Sequence, residues 1–282
     1  MSRPEAPAPL PVPVVDNHAH LDHTRRDDEP FPIPAALSAA AGVGVTRVVQ
    51  IGCEVASARW TVDVVERFPA VLGGVALHPT EASAIVAADG EAGLAAALAE
   101  IEALAGHPRV RVVGETGLDH YWVTVDDEPG RAAQVASFRA HIAMAKRLGK
   151  VLQIHDRDAH HDVLRVLAEE GAPERTVFHC FSGDAAMARF CADQGWYLSF
   201  AGTLTFKNAE PLREALRAVP LGAVLVETDA PYLAPAPHRG RTNASYLVPL
   251  TVRCMAEVLG RSLGEVCERL DATSERLYGP WG

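Results

Sequence analysis

Short apolar runs rich in β-branched residues alternate along the chain with longer stretches in which apolar residues recur about every 3.6 positions. The short runs predict strands at 12–16, 47–52, 71–77, 110–114, 151–154, 175–178, 196–200 and 223–226. The longer stretches predict helices, of which the clearest are 56–68, 93–104, 131–148 and 160–169, and two more at 247–259 and 263–277 would close the chain. Strand and helix therefore alternate over nearly the whole sequence.

This alternation predicts parallel strands with helices outside them. Eight strand–helix units in 282 residues match a (β/α)8 TIM-type barrel, which typically needs about 250 residues. A doubly wound open sheet is the alternative, but AGVGVTR at 41–47 is not a G-x-G-x-x-G motif, and the sequence contains no Walker motif. We expect an α/β single-domain barrel over residues 12–282, preceded by a Pro-rich extended lead-in at 1–11.

Composition narrows the function classes. The formal net charge is -10, so a phosphate-binding site would need local positive charge from metal ions or from clustered Arg and Lys. The five cysteines form no C-x-x-C pair and their number is odd, which indicates a reducing compartment. Residues 1–13 lack the apolar core of a signal peptide, and no run of about 18 apolar residues occurs. We expect a cytoplasmic protein with no membrane association and no obligate protein partner.

The candidate chemistry collects at one end of the predicted strands. In (β/α)8 enzymes the active site lies at the carboxyl ends of the strands. Six of the eight predicted strands carry His, Glu or Asp there: His18, His20, His78, Glu115, Asp119, His155, His179, Glu227 and Asp229. Each residue alone is a weak signal, but together they predict a metal site.

The number of donors indicates two ions rather than one. Four of these imidazoles and at least two of the carboxylates already exceed what one tetrahedral zinc ion binds. They suit two divalent cations bridged by a carboxylate, as found in phosphatases and nucleases. Mixed nitrogen and oxygen donors favour Zn, Mn, Co or Ni, and Mg could occupy an oxygen-rich second site.

The sequence resembles the TatD family of metal-dependent deoxyribonucleases, within the amidohydrolase superfamily. The resemblance extends from DNHAHLD at 16–22 to about residue 278. Its other motifs follow in family order: GETGLD at 114–119, QIHDRDA at 153–159, FHCFSGD at 178–184, SFAGTLTFKNA at 199–209 and ETDAPYLAPAPHRGRTN at 227–243.

The resemblance implies a TIM-type barrel that hydrolyses nucleic-acid phosphodiesters with two divalent metal ions. Glu115 would bridge the ions, at the place where other superfamily members carry a carboxylated lysine. The first ion would be held by His18, His20, Glu115 and Asp229, and the second by Glu115, His155 and His179. Catalysis would involve Asp229, which would orient the attacking water and take its proton, and the bridging Glu115.

The sequence departs from the family pattern at two places. Asn17 occupies the usual position of a small residue before the H-x-H pair, and we expect its side chain to point away from the site. The final-helix pattern T-x-x-N-A-x-x-L-F reads TSERLYG at 273–279, so the family Asn is missing from this helix.

Candidate substrate- and phosphate-binding residues lie in loops at the same strand ends: His78, Arg157, Lys207 and Arg239. Arg157 would clamp a phosphate oxygen, and its alternative role is a surface ion pair with Asp156 or Asp158. The alternative for Lys207 and for the basic loop of His238, Arg239 and Arg241 is solvated charge. Tyr121, Trp122 and Tyr232 would stack on bases, or else pack under the loops.

We therefore predict a metal-dependent hydrolase that cleaves phosphodiesters at DNA ends as an exonuclease, with RNA ends as the alternative substrate. Another metallohydrolase of the amidohydrolase superfamily, acting on a lactone, an amide or a small phosphoester, is the second interpretation. A non-catalytic binding barrel would require lost ligands, and none of the predicted ligands is missing.

Overall fold

Strands and helices alternate throughout the residues that this computed structural model describes, 3–25 and 28–281. The sheet contains eight strands, and their order in the sheet follows the chain from β1 to β8, which is the topology of a (β/α)8 barrel. The predicted fold class is confirmed. The elements are β1 Val14–Ala19, α1 Ile33–Gly42, β2 Val45–Gly52, α2 Val55–Arg67, β3 Val71–Val75, α3 Pro79–Ala105, β4 Val110–Asp119, α4 Glu128–Leu148, β5 Val151–Arg157, α5 His160–Glu170, β6 Thr176–Phe178, α6 Ala185–Asp193, β7 Tyr197–Phe200, α7 Glu210–Arg217, β8 Val224–Val226, α8 Val248–Leu259 and α9 Leu263–Tyr278.

Packing divides the chain into two compact units. The terminal unit consists of Met1–Gln50 and Cys180–Gly282, and the central unit is Ile51–His179. The domain boundaries expected from the sequence, 1–11 and 12–282, stay predictions, and residues 1 and 2 lie outside the described residues. The rest of the lead-in has no regular secondary structure, and Tyr246 Oη donates a hydrogen bond to the carbonyl of Pro4 at 2.7 Å.

The eight predicted strands are all present, but β1, β4 and β5 extend beyond their predicted carboxyl ends, β5 to Arg157. β1 continues to Ala19 and β4 to Asp119, so His18 and Glu115 lie within strands rather than after them. In β4 the extension depends on Gly117, which has φ 140° and pairs with His155 of β5. A Cβ at this position would lie 2.1 Å from the carbonyl oxygen of His155, so only glycine fits.

Helix α4 shows how the sequence builds the central unit. Phe138, Ile142 and Ala145 recur at i, i+4 and i+7 and are buried, which makes one face of the helix apolar. The Asp127 side chain accepts the N–H of Gly130 at 2.9 Å and caps the first turn. Gly149, in the left-handed conformation with φ 61°, ends the helix. The amphipathic pattern and both end signals therefore agree.

Side chains join β1 to β8 in the terminal unit. Asp16 Oδ1 accepts the N–H of Thr228 at 2.9 Å, and Asp16 Oδ2 accepts the Thr228 hydroxyl at 2.6 Å. Asn17 Nδ2 donates to the carbonyl of Val226 at 2.7 Å. A parallel bridge pairs Ala19 with Ala230 just beyond. The first and last strands are thus held together mainly by side chains, which we call the β1–β8 seam.

The two departures from the family pattern meet at this seam. Asn17 is buried and, as expected, its amide faces the neighbouring backbone rather than the candidate ligands. Its Oδ1 accepts the hydroxyl of Ser274, on α9, at 2.9 Å. In this contact between α9 and β1, the helix therefore provides the hydroxyl of Ser274, and the strand provides the side-chain amide of Asn17.

Helix α3, taken as one 27-residue helix, is long enough and apolar enough to cross a membrane, by length and composition alone. Gly90, with φ 68° and ψ -169°, interrupts the helical backbone within it. Neither helical segment reaches the roughly 20 residues needed to cross a bilayer. The expectations of cytoplasmic location and of no membrane association stay predictions.

A buried histidine makes folding sensitive to acid. Nε2 of His141, on α4, accepts the N–H of Leu77 at 3.2 Å, so Nδ1 carries the ring proton and donates to the carbonyl of Ser137 at 2.7 Å. Burial, opposed by the hydrogen bond to Ser137, lowers the pKa of His141 from 6.5 to about 4. Protonation would also remove the acceptor from Leu77.

We expect His141 to contribute to acid destabilisation between pH 6.5 and 4. Because its pKa is lower in the folded protein, the unfolded chain binds the extra proton in this window. The contribution, about 3 kcal/mol, is full above pH 6.5 and is lost as the pH falls towards 4. In urea unfolding with EDTA, His141→Gln should lose less free energy of unfolding across this window than the parent.

The matched control is His161→Gln, which changes a histidine of α5 whose side chain is 92% exposed. This variant should follow the parent at every pH. Equal pH dependence in the parent and in His141→Gln would show that His141 does not carry the effect.

Candidate functional site

Three of the predicted metal ligands converge in the terminal unit. His18 and His20 project from the carboxyl end of β1, and Asp229 follows β8. The Nε2 atoms of the two imidazoles are 3.2 Å apart. Asp229 Oδ1 lies 3.6 Å from Nε2 of His18 and 3.4 Å from Nε2 of His20. We call these three residues the terminal cluster.

The spacing of the terminal cluster fits a shared cation. Two ligand atoms that bind one tetrahedral ion at about 2.0–2.1 Å lie roughly 3.3–3.4 Å apart. The three distances in the cluster, 3.2, 3.4 and 3.6 Å, are close to this value on every edge. Two imidazole nitrogens and one carboxylate oxygen also form a donor set that divalent transition metals prefer. The residues present therefore fit the metal that the fold family implies.

Asp229 is held by an unusual backbone conformation. Its φ is 55°, in the left-handed region that few residues other than glycine adopt. Its N–H donates to the carbonyl of His18 at 3.0 Å, and its carbonyl accepts the N–H of Tyr232 at 2.8 Å. The β1–β8 seam thus positions the ligands from both strands. Non-glycine residues with this strain cluster at functional sites.

The central unit contains a second group, formed by Glu115, His155 and His179. Glu115 Oε1 lies 2.6 Å from Nδ1 of His155 and 2.9 Å from Nε2 of His179. The three residues come from β4, β5 and the end of β6, and each offers a ligand atom within 4.8 Å of the others. We call them the central cluster. Carboxylate oxygen and imidazole nitrogen again provide donors for a divalent cation.

Asp119 orients one ligand of the central cluster. Its Oδ2 lies 3.0 Å from Nε2 of His155, while Nδ1 of that ring faces Glu115. Metal-binding histidines commonly donate their other ring N–H to a carboxylate, which fixes the tautomer and the ring orientation. Asp119 is almost fully buried and was not among the ligands predicted from the sequence. The sequence places it among the strand-end residues that predict a metal site, whereas its contact with His155 depends on the neighbouring strand.

The pKa shifts indicate a site that favours positive charge. Burial alone would lower the pKa of His155, but hydrogen bonds to Asp119 and Glu115 and the charge of Glu115 raise it overall. Burial alone would raise the pKa of Asp119, yet hydrogen bonds from His155 and from the N–H of Trp122 lower it overall. A proton on His155 therefore occupies a carboxylate-rich environment, and a divalent cation would displace it.

His78, a predicted substrate-binding residue, lies beside the central cluster. Its Nδ1 accepts the N–H of Thr80 at 3.2 Å and caps α3, so the proton of the neutral ring resides on Nε2. This Nε2 is 3.6 Å from Glu115 Oε1, and the ring packs edge-on against His155 with centroids 4.5 Å apart. His78 thus presents an N–H towards the cluster.

The structure adds neighbours that the sequence analysis did not single out. Cys53, at the end of β2, has its Sγ 3.5 Å from Glu115 Oε2. In the terminal unit, Asp22 and His23 form a further group with His20, and the rings of His20 and His23 stack at 4.8 Å. The sequence signal for Cys53 is its place directly after Gly52, the last residue of β2.

The predicted phosphate-binding residues differ in their surroundings. Arg157 makes no ion pair with Asp156 or Asp158 among residues 3–25 and 28–281, and its guanidinium lies 3.9 Å from the ring centroid of Tyr121. In the terminal unit, Lys207 is exposed, and exposed Arg239 lies over the ring of Phe206 at 4.6 Å. Their predicted roles in phosphate binding stay predictions, as do the ligand roles of the two clusters.

Imidazole and carboxylate clusters at the carboxyl ends of (β/α)8 strands are typical of metal-dependent hydrolases. A family model described as "TatD related DNase" matches residues 15–279. The chain therefore belongs to the TatD family and is a metal-dependent hydrolase with the amidohydrolase fold.

Known proteins similar to this chain support the assignment. It is 46% identical over 273 residues to the "uncharacterized metal-dependent hydrolase TatD" of Mycobacterium tuberculosis, covering 94% of this chain and 98% of the relative. It is 32% identical over 266 residues to the "uncharacterized metal-dependent hydrolase YabD" of Bacillus subtilis, with 94% and 98% coverage. The crystal structure of YJJV, a TatD homolog from Escherichia coli, has the same fold, with a TM-score of 0.81, 24% identity and coverage of 95% of this chain and 98% of that one.

We expect Asp119→Asn to weaken divalent-metal binding by about 10- to 100-fold, the usual effect of removing a carboxylate that orients a metal-binding histidine. The asparagine keeps an acceptor for the loop that follows β4, but it removes the charge beside His155. Calorimetric titration of Zn or Mn into the metal-free protein would measure the change.

Asp127→Asn is the control, because Asp127 caps α4 through Gly130 and is absent from the ligand groups of the described residues. Its metal affinity should equal that of the parent. An unchanged affinity in Asp119→Asn would contradict the orienting role.

Proposed function

We propose that the protein hydrolyses phosphodiester bonds at the ends of DNA, as an exonuclease that depends on two divalent metal ions. The observation that carries the proposal is the pair of donor clusters in a chain of the TatD family. The family description names DNase activity, and the curated relatives are described only as metal-dependent hydrolases. Substrate and metal number therefore belong to the proposal.

One ion per cluster is the simplest assignment. The terminal cluster would hold one ion through His18, His20 and Asp229, and the central cluster would hold the other through His155 and His179. The resemblance of the sequence to the family, rather than a distance, suggests that Glu115 bridges the two. Zn, Mn, Co and Ni suit these mixed donors, and Mg remains a candidate for the site with more oxygen.

Bound divalent ions would neutralise the anionic phosphodiester and lower the pKa of a bound water. The protein residues would then supply proton transfer and substrate positioning. Asp229 would accept the proton of the attacking water, because its carboxylate faces the two imidazoles of β1 while its backbone is fixed by the seam. His78 would donate its Nε2–H to a substrate oxygen beside Glu115.

Local positive charge supports an anionic substrate in spite of the net charge of -10. Arg157 of the central unit carries a guanidinium free of ion pairs among the described residues, and a guanidinium suits bidentate contact with a phosphate. Lys207 and Arg239 of the terminal unit are exposed. Each unit therefore offers cations for a phosphate backbone.

One assay tests the proposal against its alternatives. Protein loaded separately with Zn, Mn, Mg, Co or Ni would be incubated with end-labelled DNA and RNA, and with lactones, amides and small phosphoesters. We expect metal-dependent release of nucleotides from DNA ends, which chelation abolishes. Turnover confined to lactones or amides would overturn the proposal. Preferred cleavage of RNA ends would show that RNA, rather than DNA, is the substrate.

We expect Asp229→Asn to keep most of its bound metal while turnover on DNA falls by about 10²- to 10⁴-fold. Asparagine has nearly the same shape and still offers an oxygen to a cation, but it accepts no proton near neutral pH. Metal content must be measured by mass spectrometry on the sample used for kinetics, because weaker ligation would also lower turnover.

Asp193→Asn, an exposed carboxylate at the end of α6, is the matched control and should keep parental turnover. A fully metal-loaded Asp229→Asn enzyme with parental turnover would leave Asp229 as a ligand only.

A further inference from the structure

Two aromatic rings and one guanidinium lie exposed together on the central unit. Tyr121 and Trp122, in the loop after β4, are 52% and 66% exposed. Their rings meet edge to face with centroids 4.9 Å apart. The guanidinium carbon of Arg157 lies 3.9 Å from the centroid of Tyr121 and 5.7 Å from that of Trp122. We call these three residues the aromatic platform.

Buried groups hold the backbone of the platform. Asp119 Oδ1 accepts the N–H of Tyr121 at 3.0 Å and the N–H of Trp122 at 2.8 Å. The amide of Gln134 pairs with both backbone groups of Asp119, at 3.0 and 3.2 Å. The rings are therefore exposed on a pre-organised loop, which lowers the entropy lost when a ligand binds them.

The platform is joined directly to the central cluster. The same Asp119 carboxylate that fixes the loop places its other oxygen 3.0 Å from His155. Arg157 follows His155 by two residues on β5 and pairs with Asp119 in the register between β4 and β5. A substrate held at the cluster would have its next chemical group within reach of the platform.

From this arrangement we infer that the aromatic platform binds the unpaired terminal base of a nucleic-acid strand beside the phosphodiester being cleaved. The inference rests on the proposed function and assigns a subsite to it. Trp122 and Tyr121 offer rings for stacking, which contributes binding without reading the identity of the base. The Arg157 guanidinium lays its flat face on Tyr121 and donates no hydrogen bond to the described residues, so its N–H edge is available for a phosphate.

The size and charge of the platform favour this occupant over a second copy of the chain. Two fully buried aromatic side chains supply roughly 300–500 Å². Each partner in a stable dimer buries about 800 Å². A base with its phosphate matches the platform in area, and its negative charge complements Arg157.

The binding test uses the metal-loaded protein and oligonucleotides with 2-aminopurine at one terminus, either 5′ or 3′, and phosphorothioate linkages that resist cleavage. Stacking should quench the 2-aminopurine fluorescence for at least one terminus. Trp122→Ala and Tyr121→Ala should each reduce the quenching and weaken binding by roughly 5- to 100-fold. Trp122→Phe should restore much of the affinity. Val125→Ala, an exposed apolar residue of the same loop, should match the parent.

A second oligonucleotide, which lacks the terminal base, completes the comparison. The parent should bind it as weakly as Trp122→Ala binds the intact strand, and Trp122→Ala should lose little more. Full quenching and affinity in Trp122→Ala would overturn the platform, as would a sedimentation change showing that the ring joins two chains. If either result is found and the parent still cleaves DNA, the proposed function stands without this subsite. A parent that neither cleaves nor binds nucleic acid would overturn both the subsite and the proposed function.

Discussion

The pairing of β1 with β8 is the interaction on which the terminal cluster depends. Few backbone hydrogen bonds join the two strands, and the carboxylate of Asp16 and the amide of Asn17 replace them by binding Thr228 and Val226. Burial, helped by the charge of Glu227, raises the pKa of Asp16 to about 7 despite its hydrogen bonds from Thr228. Burying the Asp16 carboxylate costs free energy, and its hydrogen bonds with Thr228 keep the two strands adjacent, which places the imidazoles of β1 beside Asp229.

A carboxylate has a comparable organising role in the central unit. Asp119 contacts His155 with one oxygen and the N–H groups of Tyr121 and Trp122 with the other. A metal-binding ring and a substrate-binding loop would therefore share one anchor. Since Asp119 is buried and contacts both, the position of the loop and the orientation of the ring depend on a single side chain.

The sequence was sufficient for the strand order and for the grouping of donors within each cluster, because both follow from periodicity and from the common direction of parallel strands. It was insufficient where a contact joins residues far apart in the chain. The bond between Asn17 and Ser274 spans 257 positions, and neither residue alone indicates it. The contacts of Cys53 with Glu115 and of Asp119 with His155 were not predicted for a related reason: each joins residues of different strands. Apolar patterning also ended β4 too early, since the pairing beyond its apolar run depends on a glycine.

That glycine, Gly117, affects how mutational data on this protein should be interpreted. Its missing side chain leaves room for the carbonyl of His155, which a Cβ would approach to 2.1 Å. In a saturation scan, every substitution at this position should score as strongly as the loss of a ligand, although glycine offers no side chain to a cation or a substrate. Such a scan would thus mark Gly117 as a functional residue. Only a measurement of metal binding or of stability would show that its substitutions act through a steric clash and not through the loss of a ligand.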